Sequence, residues 1–468
     1  MASINQGDDA VERLDNAVTA FEMIMTGPEG GSVPVPGHPD QPTLAERVKQ
    51  NLKPSTSAAA GFATQAAASA KAADESAKLA SQISGLGTVA EAIGMAALPL
   101  PDVWAPLSDS LRLITGYGRD VLVGSDVVAR MVNFYRSSTA TYIGKDGLLK
   151  TAAVNEPRFE KDGLLVEGQS TNLIPTSNFP QNLAGWIAPN SSGNTHAYGL
   201  APDGSNTAVK VAFAGDGLNR GVPELTDGVT YTFSFYAKNE NATAVEFLIR
   251  IGGSTGSVVF QVPGNTPWRR YQVTQTYKEG DRSLRWYVNT KNVEIWLWGA
   301  QIEALPFASS YIPTNGAAAT RTADVVTIPW ALNVRPSNVT VALNYDVLGI
   351  GLTNQRLIEY AAPTIPRYLM QVTQVGDFET YCATQALKVV GPSIGPGSLA
   401  VASTSPTRHA LKLTGKAIAV ATPAGPVGAT SDIRIGSGQA GASPTYGHIR
   451  NLRIWHSTLT DDQLKAVA

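Results

Sequence analysis

Two short stretches carry the residue types and spacing of reactive or phosphate-holding loops. Gly252-Gly253-Ser254-Thr255-Gly256 fits the G-x-S-x-G pattern. That pattern presents a serine nucleophile on a sharp strand-to-helix turn. Here strand-like runs stand on both sides, AVEFLIRI at 244–251 and GSVVFQV at 256–262, so a hairpin loop is expected. Gly436-Ser437-Gly438-Gln439-Ala440-Gly441 fits G-x-G-x-x-G. Phosphate binding by such glycines needs a helix N-terminus directly behind them. No helical pattern follows, so a glycine-rich turn is expected. Glycoside hydrolysis needs two carboxylates roughly 5–10 Å apart. Glu224, Glu246, Glu294 and Glu303 offer carboxylates, but their places in the sequence pair none of them. No catalytic residue is assigned, and the chain is expected not to be an enzyme.

Sugar binding asks for aromatic faces against pyranose rings, with polar neighbours for the hydroxyls. Trp286, Trp296 and Trp298 lie in strand-like runs, and Trp268 opens another. Trp296 and Trp298 share a strand face, as residues two apart do. Trp268 and Trp298 are expected in the core. Arg285, Tyr287 and Asn289 share the face opposite Trp286, and Arg250 sits on a nearby alternating strand. These four are the expected carbohydrate-contacting residues. His409, Tyr446 and His448, near loop ends, are further candidates. Cys382 is the only cysteine and the five histidines are scattered. That excludes an intramolecular disulfide and a cysteine-rich zinc site. Neither a metal centre nor a cofactor is expected.

The elements that must position these residues change character along the chain. Val11, Leu14, Val18, Phe21 and Met25 are apolar at alternating spacings of three and four, an a/d seam over two heptads. A helix this short is marginal alone, so the seam is expected to bury itself against copies of the chain. Pro28, Pro34, Pro36, Pro39 and Pro42 then exclude helix, leaving a linker or extended arm. Thr43 caps a short helix through Leu44, Val48 and Leu52, with Glu46 three residues after the cap. Residues 55–84 are rich in Ala, and Leu79, Ile83 and Leu86 close a further seam. The expectation is a thin helical stalk of identical chains over 56–87. Residues 88–130 mix helical patches with a Pro-rich break, and a neck is the simplest reading.

After residue 132 the period becomes two. VTYTFSFY at 229–236 alternates strictly, and more short strands follow between Gly, Asn, Asp and Pro turns. That spacing means sandwiches. The fold class is therefore mainly β with an α-helical N-terminal part: a coiled-coil stalk, then two β-sandwich (jelly-roll) domains. The expected divisions are 1–55, an attachment segment; 56–132, stalk and neck; 133–324, the first sandwich; and 325–468, the second. A length of 468 residues suits roughly two to four domains. Charged residues are only 16% of the chain and the net charge is −2, which argues against nucleic acid, because phosphate neutralisation needs clustered Lys and Arg. The polar start MASINQGDD is expected not to be a signal peptide. The stretch 86–107 is broken by Glu91, Pro99, Pro101 and Asp102, so no membrane insertion is expected.

Several motifs resemble one family. FYRSSTATYIGKDGLLK leads residues 134–179, with the Arg136–Tyr142 start, the LLVEGQSTNL line at 164–173 and the SNF turn at 177–179. This is similar to the lead-in of tailed-bacteriophage fibre and virion proteins. Trp186, DGSNTA at 203–208, Trp268 with Arg269 to Tyr271, and WGAQIEALPFASSYIPT at 298–314 resemble a jelly-roll carbohydrate-binding module of those proteins. GHIRNLRIWHSTLTDDQL at 447–464 resembles the closing strand and helical turn of a laminin-G or concanavalin-A-like lectin domain. The Ala-rich stretch resembles fibre shafts. The resemblance implies a parallel homotrimer located in the virion and assembled in the host cytoplasm. Its N-terminal segment would bind other virion proteins of the tail, baseplate or portal and collar. Its outer domains would bind a host surface polysaccharide or glycan. The rivals are a structural connector, collar or capsid-decorating fibre without sugar binding, and a polysaccharide depolymerase tailspike.

Overall fold

The computed structural model describes residues 5–35, 38–50, 98–178, 186, 195–213, 217–222, 224–253, 256–290, 292–334, 338–361, 367–383, 385–391, 395, 398–422 and 432–468, with 67, 69 and 71. The chain divides into two compact units, Met1–Ala97 and Leu98–Ala468.

In the first unit, helix α1 spans Asn5–Thr26. The expected seam lies on it, and Val11, Leu14, Val18, Phe21 and Met25 are 47–66% exposed in the single chain. Among the described side chains of α1, Ala20 is the buried one, where α1 meets the hairpin. The expected extended arm is that hairpin: Ser32–Val35 pairs antiparallel with His38–Pro42. Such a ribbon tolerates prolines because it has no further strand to bond. Helix α2 covers 44–50. Thr43 Oγ1 accepts Glu46 N at 3.2 Å, the expected cap. Glu46 does not close the capping box on Thr43; its Oε2 accepts Gly30 N at 2.7 Å and so pins the preceding turn. The stalk seam through Leu79, Ile83 and Leu86 lies outside the described residues.

The second unit opens with a correction. Residues 88–130 are expected to hold helical patches, but the described part from 98 on contains strands: Val103–Ala105, Arg112–Leu113, Arg119–Val123 and Asp126–Met131. The first of these joins the main sheet beside Tyr446–Trp455. Prolines at 99, 101 and 106 forbid helix there, and Trp104 Nε1 donates to Asn451 Oδ1 at 3.0 Å.

Two sandwiches follow, one inside the other in sequence. The frame sandwich packs an eight-stranded sheet on a seven-stranded one. The first includes, in spatial order, Arg158–Glu160, Gly163–Glu167, Tyr446–Trp455, Val339–Val347 and Ser398–Thr404. The second includes Gln355–Ala361, Ile433–Ile435, Val325–Ile328 and Asn133–Tyr135. Leu164, Val341, Ile449 and Ile454 from one sheet meet Ile358, Tyr360, Met370 and Phe378 from the other in one core. Gly447 is needed where strands cross closest, since a Cβ there would stand 1.9 Å from Asp346 O.

The inserted sandwich lies between residues 195 and 303, a five-stranded sheet on a four-stranded one. Phe233, Phe235 and Phe247 surround Trp286 in its core, with ring centroids 4.4–5.5 Å away. The chain enters through Ser170–Asn172 and leaves through Ala319–Arg321, and these two strands pair antiparallel. The boundaries expected at 132/133 and 324/325 therefore do not separate the sandwiches. Strands 133–135, 158–160 and 163–167 belong to the sheets of the frame. The period-two pattern identified the strands but could not say which sheet each one joins. At the end of the frame, helix α3 (Asp461–Val467) carries a full capping box between Thr460 and Gln463.

Candidate functional site

The family-like motifs meet where the inserted sandwich sits on the frame, and they build a buried ionic network. Arg158 reaches Glu167 at 2.7 Å and Asp324 at 2.6 Å, and Arg136 reaches Asp324 at 3.0 Å. All four side chains are fully buried. Ser310 N and Oγ donate to Glu167 at 2.7 and 2.6 Å. Arg321 lies 3.5 Å from Glu167. Burial alone would raise the Glu167 carboxyl, but Arg321, Arg158 and Ser310 outweigh it and hold it down at about 2. Buried charges persist only when paired in this way. Glu303 is buried beside it and accepts Ser170 Oγ, Gln301 Nε2 and Ser309 Oγ at 2.6–2.7 Å.

Above this network a cleft of about 520 Å³ opens between the two sandwiches. One wall is the outer face of the five-stranded sheet, where Tyr236 pairs with Arg270 across the strands and Trp268 lies half-buried. Trp298 and Tyr311 pack behind them, centroids 4.7 Å apart. The opposite wall is the hairpin Ala140–Ile143/Leu149–Ala152, contributing Ile143, Leu148 and Leu149. Glu160 and His448 line the cleft on the side of the frame sheet. Arg270 Nη2 donates to Ser234 Oγ at 2.9 Å, and its guanidinium stands 5.7 Å from the centre of the Tyr236 ring. His448 Nε2 meets Glu160 Oε2 at 2.9 Å, and Ile143 N fixes the other Glu160 oxygen at 2.6 Å. Burial would push the His448 imidazole down, but Asp346 and Glu160 overcome that and hold it up at about 9. An apolar, aromatic cleft of this size with a few convergent polar groups suits a small organic ligand.

The four sequence-predicted residues come together elsewhere. Arg250 and Arg285 pair across the four-stranded sheet, and Tyr287 pairs with Leu248. Asn289 follows, its side-chain amide donating to Glu246 Oε1 at 2.5 Å. All four share the outward side of that sheet, and Arg285 is clasped by Asp281. Trp286 and Trp298 are 1% exposed. Trp298 is thus in the core as expected, whereas Trp268 lines the cleft. His409 is a core residue, fully buried against Thr404 Oγ1 at 2.7 Å. Burial pushes its imidazole down to about 4, so it is not a surface ligand. Tyr446 is tied to Gln169 O at 2.8 Å, which leaves His448 as the one of the three that lines the cleft.

The other motifs resolve as turns. Gly252 and Gly253 follow Val245–Ile251, which pairs with Val258–Val262 as a hairpin; Ser254 and Thr255 lie outside the described residues. Behind Gly436 comes a three-residue 3-10 turn, then the strand Tyr446–Trp455. Glu246 is tied to Asn289 and Gln261, and Glu294 to Lys210. Sequence reasoning missed Tyr236, Arg270, Glu160 and the hairpin over 140–152. The signal was present in Tyr142 and Tyr311, which sit inside the quoted motifs.

No protein-family model matches the chain, and no curated protein matches it. Among solved structures the chain is similar to the CBM40 of the Ruminococcus gnavus IT-sialidase bound to α2,3-sialyllactose. That match has 15% identity and a TM-score of 0.25, covering 28% of this chain and 82% of the other. It is similar also to mouse laminin α1 domains LG4-5, at 11% identity and a TM-score of 0.22, covering 60% and 92%. A Limulus polyphemus SAP-like pentraxin matches at 16% identity and a TM-score of 0.24, covering 28% and 69%. Likenesses this distant do not bear on what the chain binds.

Proposed function

We propose that this chain is a tail-fibre or related appendage protein of a tailed-bacteriophage virion, a parallel homotrimer that binds a host surface glycan without cleaving it. The observation that carries the glycan reading is the cleft: half-buried Trp268 stands among apolar walls, with Arg270 at hand for hydroxyl or acidic groups. The motif resemblance over 134–325 supports the virion setting. The exposed seam of α1 supports assembly, since a continuous apolar stripe in water is covered by partner helices. Residues 1–55 then attach to tail, baseplate or collar proteins. Three copies turn a weak sugar site into useful avidity. The open face with Arg250, Arg285, Tyr287 and Asn289 is a secondary contact, because its arginine and amide are already engaged and its tryptophan points inward.

A glycan array probed with the purified full-length chain tests this reading. Binding to a host polysaccharide is expected, with at least a tenfold loss in Trp268→Ala and a normal melting temperature. Equal binding by Trp268→Ala would move the sugar away from the cleft. Release of new reducing ends from the polysaccharide would replace binding by hydrolysis.

A further inference from the structure

Beside the cleft, three carboxylates and one imidazole come from parts of the chain nearly three hundred residues apart. Asp162 sits in the turn between Arg158–Glu160 and Gly163–Glu167, Asp346 on the strand Val339–Val347 and His448 on Tyr446–Trp455. Asp346 and His448 are direct cross-strand partners. One ligand atom from each of Asp162, Asp346 and His448 lies within 4.8 Å of the others.

His448 pairs with Glu160 and Asp346, but that pairing does not involve Asp162, the third acidic group facing it. Asp346 pairs with His448 at 3.5 Å, and Asp162 with Lys161 at 3.9 Å. One imidazole thus faces Glu160, Asp162 and Asp346 together. The His448 side chain is 6% exposed. Its Nδ1 is buried without a hydrogen-bond partner and is the atom nearest Asp346. Its Nε2 is held at 2.9 Å by Glu160, which is itself fixed by Ile143 N. A carboxylate on one ring nitrogen, orienting the other towards a cluster of oxygens, is the outer-shell arrangement of a metal-bound histidine.

We propose that Asp162, Asp346 and His448 Nδ1 form a binding site for one divalent transition-metal ion of the zinc class, with Glu160 as the positioning residue behind the imidazole. One nitrogen and two carboxylate oxygens suit that class; Ca²⁺ and Mg²⁺ take oxygen shells of about six or more. Three protein donors leave a position of a tetrahedral ion for water. On binding, the ion takes the place of the Nδ1 proton, which leaves to solvent. The site does not depend on the glycan reading. It departs from the sequence expectation of no metal, because no two of its donors are near in sequence.

The test uses the full-length chain stripped with EDTA and dialysed, titrated with Zn²⁺ in a calorimeter and with Co²⁺ by visible absorption. One saturable equivalent is expected for both ions, with d–d bands of Co²⁺ bound through nitrogen and oxygen. Asp162→Asn, a turn substitution that leaves the sheet ladders intact, and Asp346→Asn should each weaken Zn²⁺ at least tenfold. Glu160→Gln should weaken it about 10–100-fold through the imidazole alone. Absence of a saturable equivalent overturns the site. So does an equivalent that survives both Asp162→Asn and Asp346→Asn, or one that takes Ca²⁺ in preference to Zn²⁺.

Discussion

Asp324 is the acceptor that holds two buried guanidinium groups at once. Its Oδ1 takes Arg136 Nη1 at 3.0 Å, and its Oδ2 takes Arg158 Nη2 at 2.6 Å and Glu167 N at 2.9 Å. Asp324→Ala removes a negative charge from a fully buried cluster and leaves both arginines in place. Breaking a buried pair from one side costs about 3–5 kcal/mol. Each arginine keeps other partners: Arg136 donates to Ser138, Ala153 and Glu156 carbonyls, and Arg158 to Glu167 and Ser310. The loss should therefore fall near the lower end, about 3 kcal/mol. Asp324→Asn keeps one acceptor oxygen and should lose about 2 kcal/mol. In guanidinium chloride, with a denaturant slope of about 5 kcal/mol per molar, Asp324→Ala lowers the midpoint by about 0.6 M. Tryptophan fluorescence and circular dichroism together read that midpoint. A shift below about 0.2 M, or equal shifts for Asn and Ala, would refute the view that this charge cluster seats one sandwich on the other.

Further outcomes follow from single residues. Burial of His409 makes stability fall as pH drops from 6.5 towards 4, because the unfolded chain takes up a proton that the folded chain refuses; His409→Gln should flatten that slope in thermal melts. Glu167 adds a second loss as pH falls from 4.5 towards 2, where its salt bridges are titrated away; a flat melting temperature over that window would contradict its pairing. Trp286→Ala removes the ring at the centre of the inserted core and should cost about 3–5 kcal/mol, read by denaturant melts. Leu14→Lys with Phe21→Lys should reduce the sedimentation mass of the full-length chain to that of a monomer if α1 is an assembly seam.

Much of the architecture was legible in the sequence, for physical reasons. The spacing of Val11, Leu14, Val18, Phe21 and Met25 gave a helix with one apolar face. Strict alternation over 229–236, with the runs 244–251 and 284–288, predicted strands where Thr230–Asn239, Val245–Ile251 and Ser283–Val288 lie, and the placement of Trp286 opposite Arg285 and Tyr287 followed from the same period. What stayed hidden was long-range pairing. Nothing local in Arg158–Glu160 or Asn133–Tyr135 says that each joins a sheet made mostly of residues beyond 324. Trp268, expected in the core, lies half-buried on Thr266–Thr276, the edge strand of its sheet, and periodicity alone does not distinguish an edge strand from a central one. Prolines around Trp104 were visible, but the pairing of Val103–Ala105 with a strand some 350 residues away was not. The cleft shares that cause, since Tyr236, Glu160 and His448 meet only through tertiary closure.

The strand Tyr446–Trp455 runs through the middle of the eight-stranded sheet, between Gly163–Glu167 and Val339–Val347. On a ribosome this sets an order of events. The inserted sandwich has all its strands once residue 303 has emerged, and can close at once. The frame must wait for its central strand, roughly 150 residues later, or about 8–30 s at ordinary rates of synthesis. During that interval Leu164 and Val166 on one side, and Val341 and Leu343 on the other, have no strand between them. A chain that stops short of residue 446 therefore keeps a finished module on an open, adhesive base, which marks it for chaperones and proteases before it can join an assembly.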